Sequence, residues 1–174
     1  LHPNADKSVK EEEKEKMPSN VVAHICLLVN NLDLAIADWT KILTVLDPEQ
    51  LEEPIVRYEQ FEAGGDTMRW ATFVSHGGPE IQLMEPGPST PLGRRLESHG
   101  EHVHHICFTT PDVDGTMARL QEAGVELKST EVFTDPTMPW QRWSWVPPRA
   151  THGTLVEVAR PYKAVDGTWE SATD

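Results

Sequence analysis

The tripeptide His24-Ile25-Cys26 returns as His105-Ile106-Cys107, and this repetition constrains the fold more than any other feature of the chain. The displacement is 81 residues, from 24 to 105, and it also lays Asp33 on Asp114, Ala37 on Ala118 and Leu32 on Val113. Further along, Ile81-Gln82-Leu83 corresponds to Val156-Glu157-Val158 at a displacement of 75, from 82 to 157, and Pro86 falls on Pro161. Each copy opens on an apolar run carrying His and closes on one carrying an amide or carboxylate oxygen. His, Gln and Glu all ligate divalent metals. A scaffold that folds the two copies onto one another would bring four donors together.

Periodicity gives both copies the same element order. Val21–Val29 is an apolar run of strand length. In Leu32–Leu46 the residues Leu32, Ile36, Trp39, Leu43 and Leu46 recur at helical steps. Asp47-Pro48 ends that helix, because the residue before proline avoids the helical region. Ile55–Phe61, Met68–Val74 and Glu80–Glu85 read as three strands separated by Gly-rich turns. A linker over Pro86–Pro91 leads into a short helix near Leu92–Ser98. The second copy then offers a strand at Val103–Thr110 and a helix capped by Thr110 with Pro111 at its first position. Met117 lies on the apolar stripe of that helix, Gly124 closes it, and strands follow at Val125–Phe133, Gln141–Val146 and Gly153–Ala159. The expected architecture is α+β: two tandem βαβββ modules, 21–88 and 101–162, forming one half-open barrel. A charged tail over 1–20, with the run Lys10 to Lys16, and a C-terminal tail over 163–174 flank it.

Composition narrows the partners. The formal net charge is −13 over 174 residues, which opposes nucleic-acid binding, since that needs basic surface to displace counterions. No apolar run approaches the roughly 18 residues of a membrane span. Cys26 and Cys107 sit at equivalent places inside apolar runs and read as small buried hydrophobes rather than a disulfide, which implies a reducing, cytoplasmic setting.

Strand parity sorts the polar residues. His24 and Cys26 share one face, as do His105 and Cys107, while His104 is expected to face away from His105. Glu85 has the opposite parity to Gln82 and points out. Glu157 lies between Val156 and Val158, and a buried carboxylate there is costly unless paired or metal-bound. Trp140, Trp143 and Trp145 form a cluster readable either as barrel packing or as a flat wall for substrate.

The same residues resemble the vicinal oxygen chelate (glyoxalase/bleomycin resistance) superfamily, and within it the methylmalonyl-CoA epimerases. The likeness runs through His24-Ile25-Cys26-Leu27-Leu28-Val29, Ile81-Gln82-Leu83-Met84-Glu85-Pro86, the segment Ser89–Leu96, His104-His105-Ile106-Cys107-Phe108 and Gly153-Thr154-Leu155-Val156-Glu157-Val158. It implies that His24, Gln82, His105 and Glu157 ligate one divalent ion per chain (Co²⁺, Zn²⁺, Mn²⁺ or Ni²⁺), with Glu157 also the candidate catalytic carboxylate. With Gln82 rather than Glu, such a site would keep a positive charge suited to stabilising an enolate. The implied activity is metal-dependent proton transfer next to a carbonyl, as in epimerisation of a 2-substituted acyl-CoA, by a homodimer acting on a small molecule. Met68–Val74 holds no acid where some such epimerases carry one, and Glu59 or Glu62 would have to substitute. If Gln82 does not ligate, His24, His105 and Glu157 form a two-His, one-carboxylate set suited to Fe²⁺ and a dioxygenase. A glyoxalase-type isomerase and a non-enzymatic small-molecule binder are the other readings of the fold.

Overall fold

A computed structural model describes residues 22–63 and 65–173. The expected strand start at Val21 and the tail over 1–20 lie outside the described residues. In chain order the elements are β1 (Val22–Leu28), α1 (Leu32–Leu46), β2 (Val56–Ala63), β3 (Asp66–Phe73), β4 (Glu80–Pro86), α2 (Pro91–His99) and β5 (His102–Thr109). There follow α3 (Val113–Glu122), β6 (Phe133–Thr134), β7 (Arg142–Val146), β8 (Leu155–Ala159), β9 (Tyr162–Val165) and β10 (Thr168–Ser171). No helix among the described residues is long and apolar enough to cross a membrane.

Eight strands make one curled sheet in the order β2-β3-β4-β1-β5-β8-β7-β6. The two modules are visible in that order. β4 pairs parallel with β1 and β8 pairs parallel with β5, while β1 and β5 meet antiparallel at the centre. The duplicated first strands therefore form the seam, and each closing strand lies beside its own opening strand.

One helix per module covers the convex face. Leu32 and Leu43 of α1 pack on Ala71, Phe73 and Leu83, and Val113 and Met117 of α3 pack on Val146 and Val158. Both helices use a side-chain cap: Asn31 accepts from Leu34 N, and Asp112 accepts from Gly115 N at 2.9 Å. The cap of α3 is thus Asp112 rather than the expected Thr110. Gly115 makes this possible, because a Cβ there would lie 2.0 Å from the Asp112 carboxylate. The repeat extends to ion pairs, since the first-turn Asp33 of α1 reaches Arg69 on β3 and the matching Asp114 reaches Arg142 on β7. Glu85 points to the convex side as expected, with Oε2 accepting from Leu32 N at 2.7 Å.

Two expectations about the second module are corrected. Residues 125–132 are not a strand, because Val125, Leu127 and Val132 pack as a loop under α3 instead. The Ser144 hydroxyl donates to the Glu131 carbonyl at 2.6 Å, so that side chain, not a strand ladder, ties the segment to β7. Nor does the chain run out as a tail after 162. β9 and β10 form a hairpin that returns Trp169, 8% exposed, into the cluster of Cys26, Leu28, Trp70 and Met84 on the concave side. Trp169 meets the Tyr162 ring edge-on at 4.7 Å and so fixes the entry to the hairpin.

Candidate metal centre

The seam positions the candidate donors. Cys26 pairs with Gln82 across β1 and β4 and with His105 across β1 and β5, and Cys107 pairs with Glu157 across β5 and β8. Laterally paired residues share a face, so His24, Gln82, His105 and Glu157 all reach the concave side. There they line one cavity of about 420 Å³.

Three of the four meet directly. His24 Nε2 lies 3.0 Å from His105 Nε2 and 3.4 Å from Glu157 Oε2, and His105 Nε2 lies 2.9 Å from Glu157 Oε2. Donors about 2.1 Å from a shared cation are separated by about 3.0 Å in an octahedral site and about 3.4 Å in a tetrahedral one. The triangle therefore has the dimensions of a metal-binding face, and its chemistry, two imidazoles and one carboxylate, suits a borderline divalent ion. Gln82 lines the same cavity, and its Nε2 donates to the Thr72 hydroxyl at 3.4 Å. Cys107 Sγ lies within 4.8 Å of donor atoms of His24 and Glu157. It is fully buried, and burial raises its thiol pKa well above the ordinary value, so the neutral S–H sits beneath the triangle.

Both imidazoles are oriented from behind. The Tyr162 hydroxyl stands 2.6 Å from His24 Nδ1 and donates to Glu80 Oε2 at 3.1 Å. With the phenol proton on Glu80, His24 Nδ1 must be the N–H donor, which turns the Nε2 lone pair into the triangle. His105 Nδ1 is 2.9 Å from His104 Nδ1. With the proton on His105 Nδ1, that ring too presents a lone pair. This pattern, a second group holding the far nitrogen of a ligating histidine, is how proteins fix the tautomer of a metal ligand. The same protonation leaves three acceptors facing one another, an arrangement that a cation satisfies.

The role of His104 corrects the parity argument. Cys26 pairs with His105 but the next residue, Leu27, pairs with Val103, so His104 is the extra residue of a β-bulge. The bulge breaks the alternation, and His104 lines the cavity beside His105 instead of facing away. Burial, then the neighbouring His105, lowers the His104 pKa to about 3, keeping the ring neutral. Sequence reasoning missed both positioning groups. Nothing in the sequence marks the bulge, and Tyr162 falls at the very end of the body that the repeat defines.

Electrostatics at the site follow from burial and pairing. Burial lowers the His105 pKa, which keeps its imidazole neutral. Burial would raise Glu157, but its close contacts with His105 and His24 outweigh this and hold its carboxyl well below the ordinary range. Burial pushes Glu80, behind Tyr162, up to about 7. Glu59 is not at the site: it is bound to Arg57 and Arg69 on the convex side with Asp33. Glu62 is exposed and does not line the cavity.

The walls are aromatic. Trp70, Trp140, Trp143, Trp145 and Trp169, five of the six tryptophans, line the cavity. Trp145 meets His105 edge-on at 5.2 Å, at the end of the wall nearest the triangle.

Comparison with known proteins agrees with this architecture. The fold is similar to a hypothetical protein, BH1468, from Bacillus halodurans, at 18% identity and TM-score 0.63, covering 84% of this chain and 98% of that one. A variant methylmalonyl-CoA epimerase from Streptomyces coelicolor, in complex with 2-nitronate-propionyl-CoA, is 26% identical at TM-score 0.61, covering 85% and 99%. The methylmalonyl-CoA epimerase from Mycobacterium tuberculosis is 20% identical at TM-score 0.61, covering 84% and 93%. No curated protein sequence matches the chain. Residues 23–136 match the family model of the Glyoxalase/Bleomycin resistance protein/Dioxygenase superfamily, and with the duplicated half-barrel in place the chain belongs to that superfamily.

Proposed function

We propose that the chain is a metal-dependent enzyme that moves a proton next to a carbonyl, in the manner of an epimerase. The observation that carries this reading is the convergence of His24 Nε2, His105 Nε2 and Glu157 Oε2 within 3.4 Å on the concave face of the sheet, in a cavity open to solvent. These three residues would hold one divalent ion (Co²⁺, Zn²⁺, Mn²⁺ or Ni²⁺), with the Gln82 amide oxygen as fourth donor. Bound there, the ion supplies Lewis acidity toward a carbonyl oxygen.

The protein's own groups supply the rest. Glu157 directs Oε2 at the imidazoles, which leaves Oε1 as the oxygen assigned to the proton. Tyr162 and His104 keep both rings in place, and Trp145 packs edge-on against the His105 ring. A 2-substituted acyl-CoA, the type of ligand bound by the Streptomyces coelicolor relative, is the first substrate to try. The test has two parts: metal content of protein purified without chelator, and exchange of the substrate α-hydrogen in D₂O read by mass. One ion per chain and metal-dependent exchange support the reading. Folded protein that binds no ion refutes it.

One observation favours a second reading. The Gln82 nitrogen is engaged with Thr72, and if the amide as a whole stays there, the two-His, one-carboxylate set stands alone and suits Fe²⁺ and oxygen chemistry. Fe²⁺-dependent oxygen uptake without α-hydrogen exchange would decide for it.

A further inference from the structure

The part of the cavity away from the triangle has a chemistry of its own. Trp145 stands over His105, and Trp143, two residues along the same strand and on the same face, continues the wall outward. Phe133 pairs with Trp143 across β6 and β7 and stacks on it at 6.0 Å, with 29° between the planes. The wall is flat, apolar and partly exposed. Among the described residues no Lys or Arg lines the cavity, and its charged members other than the histidines are Asp66, Asp135 and Glu157. Asp66 Oδ1 accepts from Leu92 N, so that carboxylate serves the start of α2.

Asp135 is different. It is 2% exposed, and its Oδ1 accepts from Thr137 N at 2.7 Å, Thr137 Oγ1 at 2.7 Å and Met138 N at 3.2 Å. That oxygen closes the turn between β6 and β7. Its second oxygen, Oδ2, is buried and has no hydrogen-bond partner among the described residues. Turn formation accounts for Oδ1 alone. A buried acceptor with no donor is costly; Asp135 is among the residues that line the cavity, so a ligand group that reaches this oxygen would supply the donor.

We infer that the cavity takes an aromatic ligand whose ring lies along Trp143 and Phe133 and whose hydroxyl or ammonium group donates to Asp135 Oδ2. A ring with a carboxylate or phosphate at that position is disfavoured, because it would meet Asp135 with no Lys or Arg of the lining to offset it. This inference rests on the reading that this cavity is the substrate cavity. It adds which end of a substrate the protein recognises.

The test uses the full chain in EDTA, so that binding is read without metal. Calorimetric titration compares four probes of one shape: 2-naphthol, 2-naphthylmethylamine, 2-methoxynaphthalene and 2-naphthoate. The naphthol or the amine should bind at least about tenfold tighter than the methoxy compound and the naphthoate, as expected for a hydrogen bond to a charged acceptor. Asp135→Asn keeps an oxygen for the turn and replaces Oδ2 by a donor, so the preference should vanish or invert. Phe133→Ala, at a half-exposed position, should weaken all four probes together. Equal binding of the four, no binding of any, or an unchanged preference in Asp135→Asn would overturn the inference. Loss of arene binding in a protein that takes up its metal would leave the proton-transfer reading standing. Selective arene binding in a protein that takes up no metal would leave only the inference.

Discussion

Replacing Tyr162 with Phe removes one oxygen and leaves the ring. That oxygen is 2.6 Å from His24 Nδ1 and 3.1 Å from Glu80 Oε2, both inside the protein. Without it, the His24 N–H loses its acceptor and the Glu80 carboxylate loses a donor. Outer partners of metal-binding histidines are worth roughly 10–100-fold in affinity, so the dissociation constant for Zn²⁺ or Co²⁺ should rise by that factor. Leaving a buried acceptor unpaired costs about 1–3 kcal/mol, and a chain of this size loses about 2–4 °C in Tm per kcal/mol. The metal-free variant should therefore melt roughly 2–12 °C lower. Affinity would be measured by competition against a chromophoric chelator, and stability by circular dichroism in EDTA. Because the ring remains, its contact with Trp169 survives, and a general collapse of the hairpin is not a competing account. Wild-type affinity in Tyr162→Phe would show that His24 is oriented by something other than this contact, and the tautomer argument would fail with it.

Two further outcomes follow from the same geometry. Gln82→Glu should hold or tighten metal binding while lowering turnover, since a second carboxylate cancels the charge that makes the ion a useful Lewis acid; equal turnover in the two proteins would contradict this. Trp169→Ala should remove the buried anchor of the C-terminal hairpin at a cost of about 3–5 kcal/mol, visible as a large fall in Tm, and a shift under about 2 °C would mean that the hairpin does not contribute to the core.

Much of the site was legible because duplication leaves a periodic trace. The paired positions of His24 and His105, and of Gln82 and Glu157, needed only the displacement between copies, and the limits of α1 followed from helical spacing and Asp47-Pro48. The remainder depended on contacts that no local pattern encodes. The bulge at His104 arises where Leu27 pairs with Val103, a relation between strands about 80 residues apart along the chain. β9 and β10 are four residues each and lack strong alternation, and they persist because Trp169 finds a place beside Trp70. Val125–Val132 has the residues of a strand, but their apolar side chains pack against the cluster under α3 and no ladder forms there. The orphan oxygen of Asp135 is likewise invisible until the turn that occupies its twin is seen.

The antiparallel seam between β1 and β5 has a consequence for cohesion. Of the triangle's corners, one comes from the first module and two from the second, so neither half of the chain possesses a complete set. An ion held at that point would act as a rivet between halves, and its binding energy would also be energy of association. Cut in the linker between β4 and α2, the protein would become a pair of fragments whose reunion depends on metal concentration. Chelation would then do to the two pieces what dilution does to a weak dimer.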